Sequence, residues 1–183
     1  MTAREQDEYT ALRATIRERG TARVCVFAGG IAAWAAATIA TAALASAPVA
    51  TLLPLLVLAA VFEAVFALHV GVERIGRYIQ VFHETAPPAP QNLPTLRGWE
   101  QVAMAFGRPA GAVTTDALFT AVFLLAALFN LAPALMLEPA RVELVFVGGA
   151  HALFAVRLAA ARQAAGKQRA IDLARFAELK TQN

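Results

Sequence analysis

The chain has 183 residues, of which 58% are hydrophobic and only 16% charged, and its formal net charge is +3. Soluble domains carry about a quarter charged residues, so this composition excludes a disordered, collagen-like or disulfide-rich secreted protein and points to the membrane. The one cysteine, Cys25, excludes an intramolecular disulfide and any zinc-type cysteine spacing.

Residues 1–23 are predicted to form an N-terminal amphipathic helix, because Tyr9, Leu12 and Ile16 recur on one helical face within 6–19. The first apolar run, Val24 to Ala47, carries no charge and is long enough to span a bilayer. Ala45-Ser46-Ala47 resembles a small-residue cleavage site, but the apolar run before it is about twice the length of a signal-peptide core, so the segment is expected to be retained. The second span, Val49 to Val72, is interrupted by Glu63 and His69. Its helix is expected to run on to about Glu84, since Ile75, Tyr78, Ile79 and Phe82 continue one apolar stripe, with Glu73 and Arg77 paired at i, i+4 on its flank. His83 and Glu84 are read as solvated.

Residues 85–115 form the longest connection. Pro87, Pro88, Pro90 and Pro94 stop the second helix. Trp99, Val102, Ala103 and Phe106 share a face and predict a short interfacial helix. Thr115 or Asp116 can cap the third helix, whose span runs from Ala117 to Leu137 around Asn130. Phe119, Phe123 and Phe129 are read as lipid or packing contacts. The fourth span, Val142 to Ala161, carries Glu143, His151 and Arg157, and its helix continues to about Leu179 with Ile171, Leu173 and Phe176 as apolar contacts.

The expected domains are therefore 1–23, a hairpin over 24–84, the 85–115 connection, a second hairpin over 116–161 and a C-terminal helix over 162–183. The expected fold class is an all-α integral membrane protein: a four-transmembrane-helix up-down bundle with cytoplasmic helical extensions. Nearly all Lys and Arg lie in the N-terminal segment, the long connection and the C-terminal tail, or at their membrane borders. Both termini are thus expected in the cytoplasm, in the plasma or inner membrane if the source is bacterial. The positive charge marks the anionic leaflet rather than nucleic acid. The three cytoplasmic helical segments are expected to pack together as a collar. Small residues at four-residue spacing, Gly29, Ala33, Ala37, Thr41 and Ala45 on the first helix and Gly148, Ala152, Ala155 and Ala159 on the fourth, suit close helix contact within the bundle or at an oligomer seam.

Ionisable groups inside a span are costly and often functional. Glu63 lies 11 residues before Arg74, and His151 lies 11 before Arg162. Measured from those borders both are roughly 16 Å deep, so Glu63 and His151 are candidates to meet on parallel helices and share a proton. His69 and Arg157 match at roughly 7.5 Å, with Arg157 near enough to the border to snorkel. Asn130, Thr38 and Thr41 are candidate hydrogen-bond partners.

Three functions follow as expectations. The first is an oligomeric proton or small-cation channel or transporter using Glu63 and His151. The second is a non-catalytic accessory or assembly subunit of a larger membrane complex. The third is a haem protein with His69 and His151 as axial ligands, which their differing depths disfavour. No Walker loop, nucleophile elbow, metalloprotease helix or catalytic triad pattern is present, so the reading leans against an enzyme, and no metal or cofactor is predicted. The expected partners are the lipid bilayer and either further copies of the chain or other membrane subunits.

Overall fold

The computed structural model describes residues 2–44, 47–83 and 115–182, with side chains from 120 onward in the last stretch. The Pro-rich connection, the expected helix around Trp99 and Phe106, and Ala45, Ser46 and Glu84 lie outside the described residues. So do the side chains of Thr115, Asp116 and Phe119.

The described chain is helical, without strands. Four helices run α1 (Ala3–Leu44), α2 (Leu52–Phe82), α3 (Thr115–Met136) and α4 (Arg141–Thr181), and a single 3₁₀ turn, Pro48–Thr51, leads into α2. Helix α1 joins the expected amphipathic segment and the first span in one element. Its start is fixed by a reciprocal capping box: the Thr2 amide donates to Glu5 Oε2 at 2.6 Å and the Glu5 amide to Thr2 Oγ1 at 3.3 Å. The bond from the Thr2 amide holds the Glu5 carboxyl below the usual carboxylate range. Pro48 opens the 3₁₀ turn, where its missing amide costs nothing, and the Thr51 hydroxyl donates back to the Pro48 carbonyl at 2.8 Å. Between α3 and α4, Glu138 takes a left-handed φ of 49°, and the Ala140 amide is capped by Glu143 at 3.0 Å.

Helix α1, the 48–82 segment and α4 are each long and apolar enough to cross a membrane, and α3 adds a shorter apolar stretch over Thr120–Met136. These helices are compatible with an integral membrane protein.

The chain forms two compact units. The first comprises the described residues of Met1–Thr21, Leu68–Ala112 and Ala165–Asn183. Here the three segments expected to form a collar do pack together. Tyr78 stacks on Phe82 and meets Phe176 edge-on, and His83 lies against the rings of Tyr9 and Tyr78, each 5.8 Å away. His83 is thus half-buried among aromatics rather than solvated, and its Nε2 has no hydrogen-bond partner. Lys180 donates to the Val81 carbonyl at 2.5 Å, which holds the end of α4 against the end of α2. Ile171, expected as an apolar contact, is exposed; its neighbour Asp172 takes the buried position.

The second unit comprises Ala22–Ala67 and Val113–Ala164. Its core is built on Phe62, which packs edge-on against Phe123 and Phe154, with Leu55, Leu58, Ala126, Ala127, Leu158 and Ala161 around it. On α4 the buried positions are Val147, His151, Phe154, Leu158 and Ala161, and on α2 they include Leu55, Leu58, Phe62 and Val65. This alternation of threes and fours is the 3.5-residue period of knobs-into-holes packing. Helix α1 has no buried residue, and it presents Phe27, Ile31 and Trp34 to the core from one side.

The small-residue stripe on α1 turns inward only in part, with Ala37 and Thr41 half-buried. Gly29 and Ala33 are exposed, and nothing lies within 4 Å of a side chain added at Gly29. Gly30 makes the close approach: a Cβ there would stand 2.4 Å from both methyls of Val61. On α4, Ala152 and Ala159 are likewise exposed. Of the aromatic residues on α3, Phe123 is core and Phe129 is exposed.

Candidate functional site

Within the second unit the polar residues separate into two clusters. Asn130, on α3, is fully buried. Its Nδ2 donates to the Thr51 carbonyl at 2.8 Å and lies 3.1 Å from His151 Nε2. His151 Nδ1 lies 2.8 Å from the Val147 carbonyl one turn back on α4. A carbonyl only accepts, so Nδ1 carries the proton and Nε2 receives the Asn130 amide. This network assigns His151 the neutral Nδ1–H tautomer. Rotating the Asn130 amide would set its oxygen against the Thr51 carbonyl, so the same network fixes Asn130. Its Oδ1 is left as a buried acceptor with no partner.

The second cluster is an ion pair on the outside of the unit. Arg157 Nη2 donates to Glu63 Oε2 and its Nε approaches Oε1, both at 2.7 Å, a bidentate arrangement. The side chains stay 42% and 49% exposed. The guanidinium also lies over the rings of Phe62 and Phe66, at 5.8 and 5.5 Å.

The expected meeting of Glu63 with His151 does not occur. Glu63 pairs six residues further along α4, with Arg157, and is exposed rather than buried. His151 instead meets Asn130, which was expected only as a general hydrogen-bond candidate. Arg157, expected near the border, is paired with Glu63 along the Nε–Nη2 edge of its guanidinium. Thr38 spends its proton on the Trp34 carbonyl within α1.

The first unit holds a buried ionic cluster that sequence reasoning met only in part. The expected Glu73–Arg77 pair is present. Arg77 is buried, however, and its main partner is Asp172 of α4, reached at 2.7 Å. Gln168 donates to the other Asp172 oxygen at 2.8 Å, and Arg74 stands 3.6 Å away. Burial pushes the Asp172 carboxyl up, but bonds from Gln168 and Arg77 and the charges of Arg74 and Arg77 outweigh it and hold the group below the ordinary range. Tyr78 donates to Glu8 of α1 at 2.8 Å; burial raises its phenol, and the Glu8 carboxylate adds to the effect. His69 belongs to this unit and is half-buried. Among the described residues no three His, Cys, Asp or Glu side chains converge as metal ligands.

The chain matches no protein-family model, and no curated protein or solved structure is similar to it.

Proposed function

We propose that the chain is an integral membrane protein with four spans and both termini in the cytoplasm, and that it serves as a non-catalytic assembly subunit, bound to other membrane subunits through the outer face of α2 and α4. The observation that carries this reading is the Glu63–Arg157 pair, half open on the outside of α2 and α4, two helices long and apolar enough to cross a membrane. A single charged residue at the centre of a span costs about 2.5–3.5 kcal/mol on insertion scales. Pairing lowers that cost, but hydrocarbon cannot satisfy the remaining lone pairs and N–H groups. A polar group on a partner helix can. Ala60, Ala64 and Ala67 stand exposed beside Glu63 on α2, and Ala160 beside Arg157 on α4, which leaves room for a partner backbone to come close.

A proton or small-cation channel gains less support. Glu63 is neutralised by a bidentate arginine, and both ring nitrogens of His151 are engaged.

Native mass spectrometry of the tagged chain from its own membranes tests the proposal, with Glu63→Gln alongside. Other chains in fixed stoichiometry, lost or weakened in Glu63→Gln, are expected. Bare monomers of the unaltered chain would overturn the reading. A homo-oligomer of bare chains would overturn it too, in favour of the channel, and would call for flux measurements on Glu63→Gln.

A further inference from the structure

A half-open cavity of about 280 Å³ lies in the second unit where the end of α1, the 3₁₀ turn and the end of α3 come together. It is several times the volume of one water and near the lower bound of small-molecule sites. None of its lining residues is ionisable. Its walls include Pro54, Pro133, Met136 and Leu137, and its polar groups are Asn130 and three threonines. The side chains of Thr38 and Thr51 have given their protons to backbone carbonyls, so toward a ligand their oxygens only accept. Asn130 has likewise committed its amide protons to Thr51 and His151, and its buried Oδ1 has no partner. A buried acceptor of this kind is rare in folded proteins and asks for a donor. Thr41 adds a hydroxyl that can donate or accept, so the polar groups of the cavity lean toward acceptors, with Thr41 as the one donor among them.

We propose that this cavity binds a compact, uncharged aromatic alcohol of the phenol or quinol class, whose hydroxyl donates to Asn130 Oδ1. The proline walls and the Met136 thioether suit the faces and edges of an aromatic ring. A charged ligand would find no counter-charge, and a ligand that only accepts would find a donor only in the Thr41 hydroxyl. Asn130 is fully buried, so a donor reaches Oδ1 only where a wall residue moves aside. The Met136 side chain, long, flexible and 82% exposed, is the part of the wall that can give way. Pro133 supplies no amide to the Phe129 carbonyl one turn back, so this end of α3 is already built without one of its helical hydrogen bonds.

The test compares 2-naphthol with its methyl ether, 2-methoxynaphthalene, on the full chain in lipid nanodiscs, with empty nanodiscs subtracted. The two probes have the same ring system and differ in the donor. Saturable one-site binding of 2-naphthol, roughly five- to tenfold tighter than the ether, is the expected result, the size of one net hydrogen bond. Thr41→Phe, which places a ring in the cavity and keeps the Asn130 side chain, should abolish both. Asn130→Leu should bring the naphthol down to the affinity of the ether. Should that variant not fold, the probe pair and Thr41→Phe still decide. Equal affinity of the two probes, binding that survives Thr41→Phe, or no saturable binding would each overturn the proposal.

Discussion

Removing the Asp172 carboxylate is expected to weaken the first unit by about 2–3 kcal/mol. Orphaning one member of a buried ion pair costs about 3–5 kcal/mol, because the other charge is left desolvated. Here the loss falls at or below the lower end, since Arg77 keeps Glu73, which is partly exposed. Asp172→Ala removes the bonds from Arg77 and Gln168 and the weaker attraction of Arg74. Asp172→Asn keeps an acceptor for Arg77 and should cost about half as much. The double replacement Arg77→Met with Asp172→Leu should return to within about 1 kcal/mol of the starting protein, as paired buried charges exchanged for apolar groups often do. Hydrogen exchange at amides 68–83 and 165–181 in the full chain, read with thermal unfolding by circular dichroism, gives the free energies. A loss below about 0.5 kcal/mol for Asp172→Ala, or a double variant as weak as the single, would refute the reasoning. The pH dependence has a definite sign. The folded carboxyl titrates below its unfolded value, so its contribution is complete above about pH 4 and is lost as pH falls through the lower, folded value. Asp172→Asn should flatten the acid limb of the stability curve.

The two adjacent glycines of α1 should respond in opposite senses. Gly30→Ala drives a methyl into Val61 and should cost about 1–3 kcal/mol, with Val61→Ala restoring most of it, while Gly29→Ala meets nothing and should gain up to about 1 kcal/mol of helix propensity. Equal effects on thermal stability would show that α1 is rotated from the face described. Exchanging the charges, Glu63→Arg with Arg157→Glu, should preserve assembly far better than either single change, measured as co-purified subunits per chain. In a Cys25→Ser background, cysteines placed at Thr2 and Gln182 should react with an impermeant maleimide only from the cytoplasmic side, and one at Ala140 only from outside. Labelling of Thr2→Cys from outside would invert the topology.

The helices were legible because apolar runs of the right length, and the stop at Pro87 and Pro88, depend on neighbouring residues alone. Register between helices was not, and the reason is physical. Depth was measured from Arg74 and Arg162, but a basic side chain reaches the interface on a long flexible stem, so its Cα marks the border only to within a turn or two. That error sufficed to set Glu63 against His151 in place of Arg157. A better ruler was present in the sequence. Opposite charges recur on α2 and α4 at nearly constant separation, 94 residues for Glu63 and Arg157 and 95 for Arg77 and Asp172. The buried series on α4, from His151 through Phe154, Leu158 and Ala161, reaches Asp172 when continued in steps of three and four. An acidic residue at a core position therefore announced a buried cation opposite, and the second helix offered Arg77. Asn130 is different in kind. Its role depends on the Thr51 carbonyl, which the 3₁₀ turn opened by Pro48 carries. A backbone acceptor has no residue type to betray it, so the pairing that fixes His151, and leaves Oδ1 without a partner, becomes visible only when the turn is folded.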